Sequence, residues 1–261
     1  MKTSTSLNHS RLSKAGSLLV AVALFAINNV PLRAGLVAHW TFDETDGTMA
    51  HDSVGGLDGT LSPTGASFVS GGISGNAVSI SQADNGFVNM GNVLGLYSGD
   101  FSVVAWVKLN PGDTTPNTII VGKHESGYVN GYFLVVNQAG GRGEDNKALF
   151  YAGGLAAEGP VSQTSVNDGS WHQVVGVYKS GTKKVIYVDG VAEATSSGPA
   201  ITANDAVAFV VGGLNYSGVP TSGYTGLIDD VQVYNRALGP SQILYLFQNP
   251  GKVVSAQGRR R

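Results

Sequence analysis

The chain has 261 residues, 42% of them hydrophobic and 13% charged, with no cysteine and a formal net charge of −2. That excludes disulfide scaffolds, thiolate metal sites and cysteine nucleophiles, and the faintly acidic balance argues against a nucleic-acid partner. The 37 glycines keep no three-residue period, which excludes collagen, and instead punctuate short apolar runs.

Residues 1–34 read as an export signal. Lys2, Arg11 and Lys14 give a basic start, "SLLVAVALFAI" an apolar stretch, and "PLRA" a small residue for cleavage after Ala34. The apolar stretch is shorter than the roughly 20 residues of a spanning helix. Removing this segment takes away Lys2, Arg11, Lys14 and Arg33 and no acid. The mature part then carries 12 basic residues against 18 acids, a net of −6. No later stretch is apolar enough to span a membrane.

From Gly35 onward the pattern is strand-like. "LVAHWTF" opens the domain. "FSVVAWVKL" alternates, with Phe101, Val103, Ala105, Val107 and Leu109 on one face. "NTIIVGK", "GYFLVV", "KALFYAG", "SWHQVVGVY", "KKVIYVDGVAEAT", "AVAFVVGG" and "TGLIDDVQVY" follow, separated by turn signals such as "NPGD" and "KSGTK". Asp189-Gly190 between two strand arms predicts a hairpin with a type I′ turn. Only "GPSQILYLFQN" looks helical, with Pro240 near its start and Ile243, Leu244 and Phe247 on one face. Residues 251–261, ending in "RRR", read as a disordered basic tail. An all-β chain without helical crossovers or internal repeats predicts two antiparallel sheets packed face to face over residues 35–250.

Five pieces occur in the order found in one family: "GLVAHWTFDETDGTMAHDSVGGLDGTL", "FSVVAWVKL", "DGSWHQVVGVY", "VIYVDGV" and "YTGLIDDVQVYNRAL". The chain resembles the laminin-G-like, concanavalin A-like lectin/glucanase domains, in the subtype of bacterial exported proteins. The resemblance implies a jelly-roll sandwich whose first and last strands lie side by side, and binding to glycans or extracellular matrix. The early loop "HDSVGGLDGT" is shorter than the family's and lacks its asparagines.

Strand alternation predicts that Asp229 and Asp230 point to opposite faces. A buried carboxylate must be paired or coordinated. The resemblance brings the last strand to the early loop, and so Asp229 and Asp230 to Asp52 and Asp58. Two readings follow: an oxygen-only site for a structural calcium, or a capped loop whose acids accept backbone N–H bonds. Asp43 and Glu44 are weaker metal candidates. The three tryptophans, Trp40, Trp106 and Trp171, are expected to pack in or near the core. Ligand contacts are expected from aromatic and polar residues in or beside loops: Tyr128, Tyr132, Asn137, Arg142, Tyr216 and Tyr224.

Catalytic patterns are missing. Glutamate occurs at 44, 125, 144, 158 and 193, with no E-x-D-x-x-E strand of the kind some glycosidases on this sandwich use. No nucleophile elbow, phosphate loop or dinucleotide fingerprint is present. The leading expectation is an exported, non-catalytic module for a polysaccharide or surface glycan. A cell-surface structural domain with a protein partner is the alternative, and a divergent glycoside hydrolase stands behind both.

Overall fold

The computed structural model describes residue 1 and residues 35–126, 130–137, 146–153, 159–203 and 206–254. Everything below concerns the compact unit that starts at Pro31. The chain enters through β1 (Leu36–Trp40), β2 (Met49–Ala50), β3 (Gly59–Leu61), β4 (Ala66–Ser70), β5 (Asn76–Ile80) and β6 (Val88–Asn89). The long alternating segments follow: β7 (Phe101–Leu109), β8 (Thr118–Lys123), β9 (Tyr132–Val136), β10 (Lys147–Ala152), β11 (Val161–Ser165), β12 (His172–Lys179), β13 (Lys183–Val188) and β14 (Val191–Ser197). Last come β15 (Val210–Val211), β16 (Gly213–Tyr216), β17 (Val219–Ser222), β18 (Gly226–Tyr234) and the helix α1 (Pro240–Gln248).

Two antiparallel sheets form the sandwich expected from the alternation. The first runs β14–β13–β12–β7–β18–β5–β4, with β1 also on β18; the second runs β11–β10–β9–β8–β15–β6–β3–β2. The hairpin β16–β17 stands apart as a two-stranded sheet. First and last strands are neighbours, in register from Ala38↔Val233 to Trp40↔Val231.

Strand β7 shows why the sheets pack as they do. Phe101, Val103, Ala105, Val107 and Leu109 face the interior, where they meet Ile120, Leu134 and Phe150 of the second sheet. Their neighbour Val104 joins a second apolar cluster on the outer face, with Val175, Tyr187, Leu238, Ile243 and Leu246. Helix α1 therefore covers the outer face of the first sheet, and β7 is buried on both sides. Pro240 fits the first helical turn, where its missing N–H is not needed. Fully burying Ile243 and Leu246 contributes about 1.5–3 kcal/mol each. Trp106 stacks on Phe247 of the helix with centroids 5.6 Å apart, and Trp40 stacks on Phe209 in the interior at 5.8 Å. Trp171 is half-buried beside the start of β12.

The Asp189-Gly190 turn has φ of 50° and 81°, the double positive of a type I′ hairpin, and Val188 pairs with Val191 across it.

Candidate functional site

The acids at the seam between the chain's two ends are hydrogen-bond acceptors. Asp52 Oδ1 accepts from the backbone N–H of His39 (2.9 Å) and Val54 (3.0 Å), and Oδ2 from Gly55 (2.8 Å) and Leu57 (3.0 Å). Asp58 Oδ1 accepts from the N–H of Asp52 at 2.8 Å. On the other side of the seam, His39 Nε2 lies 2.7 Å from Asp230 Oδ1. Because the acceptor is a carboxylate, that nitrogen carries the proton. Asp230 also accepts from Gln232 Nε2 (2.8 Å) and from the N–H of Gly251 (2.8 Å). Tyr234 donates its hydroxyl to Gln232 Oε1 at 2.6 Å and accepts from the N–H of Val254 at 3.2 Å. His39 is thus the node: its backbone serves Asp52 and its ring serves Asp230.

Two expectations change here. Asp229 and Asp230 do not take opposite faces. Register slips between Asp229 and Gln232, and Asp230 sits at φ 46° as the extra residue of a β-bulge. Asp229 pairs with Trp106 and Gln232 with Val104, both covered by α1 and its cluster, so the bulge keeps the acids on the outer side of the sheet. Nor do Asp52, Asp58, Asp229 and Asp230 gather into one group among the described residues. Four N–H donors occupy the lone pairs of Asp52, whereas calcium needs six to eight oxygens. No three His, Asp or Glu side chains among the described residues group to hold a metal ion. The capped-loop reading matches this geometry.

Asp229 is perturbed most. Burial raises its carboxyl to about 8, against the N–H donors of Ser74 (3.2 Å) and Asp230 (2.6 Å); the charges of Asp230 and Asp43 raise it further.

The candidate ligand residues separate cleanly. Tyr132 is buried in the core and donates to the Leu94 carbonyl at 2.8 Å. Tyr224 is buried and donates to the Leu227 carbonyl at 2.9 Å. Asn137 is buried at φ 55° and donates to the Asp113 carbonyl at 2.8 Å. All three are buried and bonded to backbone carbonyls within the fold. Tyr128 and Arg142 lie outside the described residues. Tyr216 is 64% exposed, and Val219, its cross-strand partner, is 60% exposed.

Tyr216 and Val219 flank the tip of the β16–β17 hairpin. Ser217 and Gly218 between them have φ of 52° and 76°, a second type I′ turn. The tip is fastened by Glu125, whose two carboxylate oxygens lie 3.2 and 3.0 Å from the N–H of Gly218. The arms are fastened by Asn215, buried and bonded to the carbonyls of His124 (3.2 Å) and Ala208 (2.8 Å), and by Asn85, which accepts from the N–H of Ser222 at 3.0 Å. Leu214 lies on Gly122, where a Cβ would come within 2.4 Å of its methyl. Under the hairpin, the outer face of the second sheet is apolar, with Ile119, Phe133, Val135, Leu149 and Tyr151. His124 completes it, 4.8 Å from the ring of Phe133 and 5.1 Å from that of Tyr151. Burial lowers the pKa of His124, although its bond to the Asn130 carbonyl and the charge of Glu125 oppose this. The result is a rigid, uncharged arm with an exposed ring and a methyl pair at its end.

Sequence reading missed Glu125, Asn215 and Val219. The signal for the turn, Ser-Gly between apolar residues, was present in "NYSGVP"; the partner that fixes it is some 90 positions away.

The comparisons agree with this architecture. The profile of the Laminin_G_3 family, described as the concanavalin A-like lectin/glucanases superfamily, matches residues 81–244. No curated protein matches at the sequence level. Among solved structures, domain 4 of AbnA, a GH43 extracellular arabinanase from Geobacillus stearothermophilus in complex with arabinotriose, is 22% identical with a TM-score of 0.58. That match covers 83% of this chain and 100% of that one. Trypanosoma rangeli sialidase in complex with sialic acid is 20% identical with a TM-score of 0.61, over 86% of this chain and 34% of the sialidase. The binding domain of Paraclostridial Mosquitocidal Protein 1 is 14% identical with a TM-score of 0.55, over 82% of this chain and 52% of that one. No helix among the described residues is long and apolar enough to cross a membrane. With the sandwich, the paired first and last strands and the profile match all in place, the chain belongs to the Laminin_G_3 family of concanavalin A-like lectin/glucanase domains.

Proposed function

We propose that the protein is an exported, non-catalytic module that binds a polysaccharide or surface glycan through the β16–β17 hairpin. The observation that carries this reading is Tyr216, 64% exposed at the tip of a hairpin that Glu125, Asn215 and Asn85 hold in place. An aromatic ring presented on a rigid support loses little freedom on binding, and its face suits the C–H side of a sugar ring. Domain 4 of AbnA, solved with arabinotriose, supports a sugar ligand on this fold. A non-catalytic role is supported by the occupation of Glu125, the carboxylate beside the hairpin, by the Gly218 N–H. Export rests on the signal-like residues 1–34.

The test is a glycan array probed with the wild type and with Tyr216→Ala, followed by titration of the strongest ligand and of arabinotriose. Binding that Tyr216→Ala weakens about tenfold or more supports the proposal. Equal binding by both proteins moves the site elsewhere, and release of reducing sugar by the wild type makes it an enzyme. A protein ligand is the second reading, favoured by the likeness to toxin binding domains. It predicts capture of a surface protein that free sugars do not displace.

A further inference from the structure

The charge around the hairpin narrows the ligand class. From residue 206 to residue 228 the sequence contains no lysine, arginine, aspartate, glutamate or histidine. That stretch includes both arms and the tip of the hairpin. The charged side chain that the tip donates to is a carboxylate, Glu125. At the base, Ser222 donates to Asn85, the neighbour of Asp84, whose own carboxylate accepts from Ser81 Oγ at 2.7 Å.

Two lysines among the described residues are engaged elsewhere. Lys123, just before His124 and Glu125, is buried and donates to Asn92 Oδ1 and the Val207 carbonyl, each at 2.7 Å. Lys147 on β10 reaches the far edge of its sheet, where it bonds the Gln163 carbonyl and Ser165 Oγ. His124 is held by its donor bond to the Asn130 carbonyl, and burial favours its neutral form. A ligand carboxylate or sulfate at the hairpin would meet a glutamate and an aspartate, and neither of these lysines to pair with. An unpaired charge taken from water is costly.

We infer that the hairpin recognises uncharged sugar rings and discriminates against uronic, sialic and sulfated glycans. This deepens the glycan-binding reading and rests on it. Selectivity comes from the repulsive element, Glu125, as much as from the attractive ring of Tyr216. Glu125 has two tasks at once: it fixes the turn and it sets the sign of the local field.

Affinity electrophoresis of the full chain tests the inference. Gels are cast with neutral polysaccharides (mannan, mixed-linkage β-glucan, dextran) or anionic ones (polygalacturonate, polysialic acid, chondroitin sulfate), at 20 mM and 300 mM salt. Retardation by at least one neutral polymer, insensitive to salt, at least tenfold weaker on every anionic polymer and reduced in Tyr216→Ala, is the expected result. Retardation by an anionic polymer that collapses at 300 mM salt overturns the inference while leaving glycan binding intact. No retardation by any of the six overturns both. A gain-of-charge variant, Thr221→Lys on the exposed face of β17, should bind anionic polymers more tightly than the wild type at 20 mM salt. If it does not, the hairpin is not the contact element and the inference fails.

Discussion

Replacing Asp229 with asparagine should change how stability depends on pH. In the folded protein burial raises Asp229 to about 8, whereas its ordinary value is 3.8. Between those limits the folded chain holds a proton that the unfolded chain has lost. Unfolding free energy therefore falls as pH rises, by up to about 1.4 kcal/mol per pH unit, and levels off above pH 8. At pH 7 the accumulated cost has a ceiling of about 4 kcal/mol. Asparagine keeps an acceptor for one of the two N–H donors, from Ser74 and Asp230, and cannot ionise. The difference between Asp229→Asn and wild type should therefore be near zero at pH 4. It should then move in the variant's favour up to pH 8, by as much as about 5 kcal/mol. Urea unfolding followed by tryptophan fluorescence, at half-unit steps from pH 4 to 8.5, measures it, and titrating groups remote from Asp229 cancel in the difference. Parallel curves for the two proteins would mean that Asp229 is ionised throughout, and the reasoning would fail.

Three further outcomes are expected. His172 Nδ1 lies 2.8 Å from Asp189 Oδ2 and Nε2 3.2 Å from Asp168 Oδ1, and the bond to Asp189 chiefly raises its pKa above 6.5. Its stabilising contribution is full below pH 6.5 and is lost as pH rises through the higher folded value. NMR titration should give a midpoint above 6.5 that drops in Asp189→Asn, and a wild-type midpoint at or below 6.5 contradicts this. Glu193 on β14 accepts from the N–H groups of Gln163 (2.7 Å) and Thr164 (3.0 Å) on β11, tying the edge of one sheet to the edge of the other. Glu193→Ala should cost about 1–3 kcal/mol in urea unfolding, with Gln in between; no loss would show that water replaces the carboxylate. Gln173 is buried on β12, and neither atom of its amide has a partner among the described residues. Gln173→Met should therefore be neutral or up to about 2 kcal/mol stabilising by thermal melting, and a clear loss would point to an unseen polar partner.

How much of this was legible in the sequence depended on how local the cause was. "FSVVAWVKL" and "YVDGVAE" announced themselves because alternation and an Asp-Gly turn are written within a few residues. Tyr132 was also readable: it shares its strand phase with Leu134 and Val136, which marks it as core. The phase outweighs the loop beside it, and Tyr132 is buried in the core. Asp230 was not readable in this way. Strand alternation assumes one residue per rung, and nothing in "IDDVQ" shows that the second aspartate leaves the ladder at φ 46°. Aspartate merely tolerates that conformation better than most residues.

The seam shows where composition stops being informative. That the acids needed partners followed from burial alone. That their described partners are N–H groups and a histidine ring depends on the backbone path after Asp52. The short "SVGGL" turn folds three N–H groups back onto that one carboxylate, those of Val54, Gly55 and Leu57. A longer loop would have left those oxygens free. The same limit applies to Glu125, which as a lone glutamate suggests nothing and becomes legible only when Gly218 is seen 3.0 Å away. A carboxylate's role is thus set by which donors the fold delivers to it. Glu125→Gln would test this directly, because glutamine still accepts one bond from Gly218. If the hairpin's rigidity needs only that acceptor, neutral-glycan binding should survive the change, while the penalty on anionic glycans should shrink.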